Sequence, residues 1–369
     1  MLYYIQDVST QIKRVLINKV VSIIKPRKKK ILEAVIRDYI NTAEPVGSRT
    51  LSRRYDLGVS PATIRNEMSD LEEMGYLMQP HTSSGRIPTQ KAYRYYVDEI
   101  MQIKKLAETM RRDIHRGYLQ AGQEIDTAVN HTANVLSQLT NYTAVVLAPR
   151  VSRFNCKHLQ IVPLIRNRVL VVMVTIEGLA RNLEVTLSSD VDDAMALRMS
   201  NVLNSILKNV AFQDFGTDLI DKIGDLNPTE RQLLDELIPM IRDALLESET
   251  NVTASGFKNL LNYPEFNNID KIKNLVDVVE AKPLLAKVMI NGAERKDDNN
   301  SVIHVTIGDE NDNQHLKEFS IITSTYERKG VPMGAFGVIG PTRMNYSQVS
   351  SILDAIRDEL NANIVKLLK

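Results

Sequence analysis

The feature that most constrains this chain is a helix with both ends written in the sequence. Ser60 followed by Pro61 makes a start: the serine oxygen can accept an orphan amide of the first turn, and Pro61 has no amide to leave unpaired. Gly75 makes a stop, because glycine takes the left-handed closing conformation at no steric cost. Between them Ile64, Met68 and Leu71 share one face, so this helix must lie on a small core. The preceding residues supply it. Ile31, Leu32, Val35, Ile36, Tyr39 and Ile40 recur at helical spacing, the chain turns at Glu44-Pro45-Val46-Gly47, and Ser48 can cap a second helix that carries Leu51 inward. Then come a short strand, Tyr76 to Gln79, and a polar loop, Pro80 to Arg86, before Ile87 and Pro88. Three helices and a glycine-containing loop make a winged helix-turn-helix, whose third helix enters the DNA major groove by its N-terminal end.

The helical wheel sorts the faces of that third helix. With Ile64, Met68 and Leu71 inward, Ala62, Asn66 and Ser69 point directly away, and Thr63, Arg65 and Asp70 flank them. Asparagine can contact adenine with two hydrogen bonds, arginine can do so with guanine, and alanine or threonine can touch the thymine methyl. The candidate base contacts are therefore Ala62, Thr63, Arg65, Asn66 and Ser69. Candidate DNA-backbone contacts are Ser48, Arg49, Arg53 and Arg54 on the second helix, Ser60 at the cap, and His81, Ser84 and Arg86 in the wing. The run Arg27 to Lys30 is either a solvated charge run or a further phosphate-holding group. Charge agrees with this placement. The net charge of +1 hides 20 basic against 12 acidic residues up to residue 112 and 26 against 33 beyond it. An anionic partner belongs at the basic end.

A chain of 369 residues exceeds what one core usually serves. From Thr89 a long helix is expected past Ile100, Ile103, Ala107, Met110 and Ile114, and a second run carries Ile125, Val129, Thr132, Leu136 and Leu139. Strand patterns follow at Thr143 to Ala148, His158 to Pro163, Arg168 to Thr175 and Arg181 to Thr186. Ser189 and Asn227-Pro228-Thr229-Glu230 then open two helices, Val191 to Asn209 and Thr229 to Glu247. Strands resume at Val302 to Ile307, Phe319 to Thr325 and Ala335 to Ile339, and an amphipathic helix with Val349, Ile352, Ile356 and Leu360 closes the chain. The fold class expected is α+β, with a helical module interrupting the sheet. Residues 1–25 hold no apolar run long enough for a bilayer and no signal-peptide pattern, and are read as an extra amphipathic helix or an over-long start.

Catalytic signatures are lacking. The chain has no P-loop, no H-E-x-x-H and no G-x-S-x-G, its six histidines show no ligand spacing, and its one cysteine, Cys156, forms no multi-cysteine metal site. Gly334, Gly337 and Gly340 read as a strand end and turn, with a ligand-facing loop as the alternative. No enzyme and no cofactor is expected, and the low cysteine content fits a reducing cytoplasm.

Several blocks together closely resemble one bacterial family. They are Glu44-Pro45-Val46-Gly47-Ser48, Ser60-Pro61-Ala62-Thr63-Ile64-Arg65-Asn66-Glu67-Met68, Leu71-Glu72-Glu73-Met74-Gly75-Tyr76-Leu77, and His81-Thr82-Ser83-Ser84-Gly85-Arg86-Ile87-Pro88-Thr89. Tyr93-Arg94-Tyr95-Tyr96-Val97-Asp98, Asn259-Leu260-Leu261-Asn262, Pro264-Glu265-Phe266 and Gly337-Val338-Ile339-Gly340-Pro341 extend the match. The resemblance is to the heat-inducible transcription repressors HrcA, over roughly Arg27 to Lys369. It implies an N-terminal winged helix-turn-helix, a GAF-like domain and an inserted dimerisation domain. The corresponding layout is an extension (1–26), a winged-helix domain (27–98), connecting helices (99–141), a GAF-like domain (142–186 with 255–369) and an inserted dimerisation domain (187–254). It further implies repression of chaperone operons by a cytoplasmic, nucleoid-associated homodimer on double-stranded DNA carrying an inverted repeat. Release comes on heat stress, the chaperonin GroEL is a partner, and no membrane is involved. Residues 1–25 and the polar loop Asp297 to Asn300 depart from the family's pattern. The alternative is a small-molecule-sensing GAF-type regulator or enzyme; a purely structural helical scaffold is disfavoured by the basic N-terminal module.

Overall fold

The computed structural model describes residues 24–81, 85–102, 106–120, 125–149, 155–176, 178–208, 210–211, 214–215, 227–247, 252–294, 302–328 and 330–367. Most of the N-terminal extension, the wing residues Thr82, Ser83 and Ser84, and the loop Asp297 to Asn300 therefore lie outside the described residues. The chain divides into two compact units, Met1–Gln102 with Thr342–Tyr346, and Ile103–Pro341 with Ser347–Lys369.

In the first unit, helices α1 (Pro26–Thr42), α2 (Ser48–Arg54) and α3 (Pro61–Glu73) precede an antiparallel ribbon of β1 (Leu77–Met78) and β2 (Ile87–Pro88). Helix α4 (Gln90–Tyr95) follows and runs into a π-helical turn, Tyr96–Ile100. Ile31, Leu32, Val35, Ile36, Leu51, Ile64, Met68 and Leu71 are buried together, as the apolar spacing requires. Both ends of α3 behave as read. The Ser60 hydroxyl accepts the Thr63 amide at 3.2 Å. Gly75 has φ 76, which lets its own amide reach the Glu72 carbonyl and the Tyr76 amide reach the Leu71 carbonyl, both at 2.9 Å. Ser48 differs from expectation: Gly47 is the N-cap of α2, Ser48 is its first residue, and no side chain caps that helix.

The wing is tied to the turn between α1 and α2. Val46 and Arg86 exchange backbone hydrogen bonds of 2.9 and 3.0 Å. Gly85 lies so close to that turn that a Cβ there would meet the Val46 carbonyl carbon and oxygen at 2.5 Å. Only glycine lets the ribbon return along this path.

The second unit begins with α5 (Glu108–Gln120) and α6 (Ile125–Thr140). The long helix expected from Thr89 is thus broken, because its apolar stripe serves two cores: Ala92, Tyr93 and Tyr96 are buried in the first unit, Ile114 and Tyr118 in the second. Then come β3 (Thr143–Leu147), β4 (Cys156–Pro163), β5 (Arg168–Thr175), β6 (Ala180–Thr186), α7 (Asp193–Leu207), α8 (Pro228–Glu247) and β7 (Val252–Ser255). Helices α9 (Phe257–Leu260), α10 (Ile269–Glu280) and α11 (Lys282–Glu294) follow, then β8 (Ile303–Ile307), β9 (Phe319–Arg328), β10 (Val331–Pro341) and α12 (Tyr346–Leu367). The mixture is α+β, as expected.

Among the described residues its strands form two sheets. One is five-stranded in the order β7-β3-β10-β9-β8, the other three-stranded in the order β4-β5-β6, and every pairing is antiparallel. The strands of residues 156–186, expected to share a sheet with Thr143 to Ala148, pair only with one another among the described residues. Alternation marks a strand but does not name its partner. Helix α7 seals the outer edge of β4: Asn204 accepts the Leu159 amide at 2.8 Å and donates to its carbonyl at 2.6 Å, and Ser200 accepts the Ile161 amide at 2.9 Å. Those edge groups would otherwise invite another strand. Helix α7 is capped by Asp192, which accepts the Met195 amide at 2.7 Å, rather than by Ser189. Helix α8 opens at Asn227 as expected: the Glu230 amide donates to the Asn227 side chain at 2.8 Å, and the Asn227 amide donates to the Glu230 carboxylate at 3.5 Å.

The glycine series departs in part from the expected strand end and turn. Gly334 and Gly337 lie inside β10, whereas Gly340 is its next-to-last residue, just before the turn at Thr342 and Arg343. Tyr326 crosses Gly334 to donate its hydroxyl to the Leu147 carbonyl at 2.6 Å, and a Cβ on Gly334 would meet that hydroxyl at 2.3 Å. Gly334 and Gly337 serve close packing, the latter because a Cβ there would meet the Ile322 carbonyl oxygen at 2.2 Å. Helices α10 and α11 were not read from the sequence at all.

Candidate nucleic-acid interface

Helix α3 turns one polar face outward. Ala62, Arg65 and Asn66 are exposed, whereas Thr63 and Ser69 are half-buried. The Thr63 hydroxyl lies 3.0 Å from the Ser60 hydroxyl, so these two side chains complete the cap together. Ala62, Arg65 and Asn66 are thus the freest of the expected base contacts, while Thr63 and Ser69 have less reach.

The charge on this unit is sorted along α3. Its C-terminal half carries Glu67, Asp70, Glu72 and Glu73; the first three are paired, and Glu73 is exposed and makes no ion pair among the described residues. Arg27 hydrogen-bonds Glu67 through two nitrogens, one at 2.7 Å; Lys28 lies 2.8 Å from Asp70 and 3.5 Å from Glu67. The hydrogen bond to Asp70, with the fields of both carboxylates, holds the Lys28 ammonium above its ordinary pKa. Arg86 meets Glu72 at 2.7 Å with its side chain only 16% exposed. Lys29 donates to the Glu99 carbonyl at 2.7 Å. The Arg27 to Lys30 run is therefore largely a set of braces inside this unit, and it lies within the first turns of α1. The N-terminal half of α3 is different. Among the described residues Arg65 there, and Arg49 and Arg53 on α2, make no ion pair and are exposed. The N-terminal half of α3 is also the positive end of its dipole, which favours an anion.

The expected backbone contacts divide accordingly. Arg49 and Arg53 are free to meet a polyanion. Arg54 donates to the buried Asp38 at 2.7 Å, a bond that raises the guanidinium's pKa, and so spans α2 and α1. Arg86 braces the wing against α3, while Ser48 is half-buried, Ser60 is an exposed cap and His81 is exposed at the start of the loop. Ser84 lies outside the described residues. Asp38 and Glu67 were missed by the sequence reading, yet both sit on the buried stripes of their helices. A carboxylate at such a position signals a partnered charge, because burying it alone costs too much.

Other chemistry finds little support in the geometry. Cys156 is buried, and burial pushes its thiol up to about 11, far from a nucleophile's range. Among the described residues no cluster of three or more His, Cys, Asp or Glu is placed to hold a metal ion, and no helix is long and apolar enough to cross a membrane.

Comparison with known proteins fits the same picture. Residues 126–349 match the family model described as the HrcA protein C-terminal domain. The heat-inducible transcription repressor HrcA of Desulforamulus reducens is 39% identical over 344 residues, covering 93% of this chain and 98% of its own length. That of Pelotomaculum thermopropionicum is 38% identical over 344 residues, covering 93% and 97%. A crystal structure described only as a hypothetical protein aligns with a TM-score of 0.62 at 21% identity, over 93% of this chain and 99% of its own, and supports the fold. With identity at this level along nearly the whole length of its relatives, the chain belongs to the HrcA family of heat-inducible transcription repressors.

Proposed function

We propose that this repressor binds an inverted-repeat operator as a homodimer, inserting the N-terminal part of α3 of each protomer into the major groove. The first unit then acts as a winged helix-turn-helix, with Asn66 and Arg65 reading base edges beside Ala62, and Arg49 and Arg53 holding phosphates. The observation that carries this reading is the sorting of charge along α3. Three of the four carboxylates of its C-terminal half are paired within the protein, whereas Arg65 in its N-terminal half, and Arg49 and Arg53 on α2, are exposed and make no ion pair among the described residues. Arg54 and Arg86 are better read as braces that hold α2 and the wing in place. A mobility-shift titration of an inverted-repeat duplex and a random duplex at two salt concentrations tests the reading. Binding should be specific and weaken steeply with salt; equal affinity for both duplexes would overturn it.

The dimer is assigned to an inserted module made of β4 to β6 with α7 and α8, so its boundaries fall near residues 150 and 251 rather than 187 and 254. On α7, Leu203 and Leu207 are fully buried and Leu197 is exposed. The open face of the three-stranded sheet is the better candidate. Val162, Leu170, Val172 and Val174 lie together there, half-buried or exposed. Val172→Asp should give monomers in sedimentation, and Leu197→Asp should not; the opposite pattern would move the interface to α7. GroEL is assigned as the factor that maintains the active fraction, and its withdrawal by unfolded clients as the heat signal. Adding GroEL should raise the DNA-active fraction of refolded protein, and no change would remove it from the account. The protein acts in the cytoplasm, and repression itself requires no catalysis.

A further inference from the structure

The first unit contains five residues that do not belong to it in sequence. Strand β10 ends at Pro341 and the body of α12 runs from Ser347, both in the second unit, yet Thr342–Tyr346 between them is part of the first. These residues are integral to it. Met344 and Tyr346 are fully buried, Arg343 is 8% exposed, and the Tyr346 ring lies 5.9 Å from that of Tyr93 on α4.

Arg343 donates to the Ile40 carbonyl at 3.0 Å. That carbonyl belongs to the last turn of α1, where the helix runs out of amides. The Ala43 amide, from a left-handed residue, serves the Tyr39 carbonyl at 2.9 Å, and the guanidinium serves the next. A cation at this end also suits the helix dipole. The same stretch holds Asp38, which anchors Arg54 of α2, and leads to Val46, which carries the wing through Arg86. Arg343 thus touches the turn from which both the second helix and the wing are hung.

We infer that Thr342–Tyr346 is a plug that completes the DNA-reading unit, and that Arg343 is a positioning residue through which loosening of the β10–α12 junction lowers operator affinity. The inference rests on reading the first unit as the DNA-binding one. It gives the family's heat response a local form: the reading unit keeps its geometry only while a segment from far along the chain stays seated in it.

The test uses the full-length protein, with Arg343→Ala and Arg343→Lys. Operator binding is measured by mobility shift over a temperature series, and backbone amide exchange is followed in parallel. Arg343→Ala should weaken operator binding about tenfold, the scale of one hydrogen bond from a charged donor, with the salt slope unchanged because no phosphate contact is lost. Exchange should quicken at Ala43 and the last turn of α1 while β9 and β10 keep their protection. Arg343→Lys, which keeps the charge and a donor, should recover part of the affinity. Unchanged affinity and α1 exchange in Arg343→Ala would overturn the inference. So would accelerated exchange throughout the second unit, or a lysine variant no better than alanine, since either marks a general packing role. Failure of the unaltered protein to bind any operator would instead overturn the DNA reading, and the exchange pattern would then decide whether the plug exists.

Discussion

Gly85→Ala isolates the joint between wing and turn. An alanine Cβ would stand 2.5 Å from the carbonyl carbon and oxygen of Val46 and 2.8 Å from the Pro45 carbonyl carbon. Packed carbon atoms need about 3.5 Å, so the two backbone segments must part by roughly 1 Å. Neither partner is the end of a flexible side chain, and backbone gives way only by moving the chain. The Val46–Arg86 hydrogen bonds, 2.9 and 3.0 Å long, would then be stretched beyond useful range. Losing two such bonds costs about 2 kcal/mol, and the forced displacement adds about 1 to 2 kcal/mol. Gly47→Ala is the control: its Cβ would find nothing nearer than the Thr50 hydroxyl at 3.8 Å, so it should cost less than about 1 kcal/mol. Urea unfolding of both variants, with amide exchange at Val46 and Arg86, measures the difference. Equal stabilities, or full protection at Val46 and Arg86 in Gly85→Ala, would refute the steric argument.

Two further outcomes follow from particular contacts. Ser60→Ala removes the oxygen that accepts the Thr63 amide and should cost about 1 kcal/mol by urea unfolding, with Ser60→Asn close to wild type; an unchanged alanine variant would show that the cap is idle. His131 has its Nε2 buried without a partner and its ring edge-on to Tyr118 at 5.1 Å, and burial holds its pKa below the ordinary value. The unfolded chain therefore binds the proton more readily. The histidine's contribution should be complete above about pH 6.5 and lost as the pH falls below it. His131→Leu should flatten that slope in urea midpoints; an identical slope would assign it to other groups.

Local marks carried most of what was legible. Ser60 with Pro61, Gly75, and Asn227 with Glu230 each specify a helix end through one backbone hydrogen bond, and each forms as read. The strand pattern of Arg168 to Thr175 matches β5 to the residue. Partnership was not legible. Nothing in alternation says that Thr143 pairs with Ile339 while Val171 pairs with Leu183, because register and sheet membership are decided by contacts distant in sequence. The interface shows the same divide. Helical spacing placed Ala62, Arg65 and Asn66 outward, but it could not show that Arg54 and Arg86 are held by Asp38 and Glu72. Nor could it place Arg343 beside Ile40. The buried positions of Asp38 and Glu67 on their own helical stripes were the available warning that some nearby arginines had internal work.

The central claim is a division of labour between α3 and α2, and the salt dependence of operator binding in two variants tests it most directly. Asn66→Ala should blunt preference at one base pair per half-site by about 1 to 3 kcal/mol while keeping the salt slope. Arg53→Ala should weaken operator and random duplexes alike and lower the slope by about one unit. If Asn66→Ala weakened both duplexes equally and reduced the slope, the outward face of α3 would not be the reading surface.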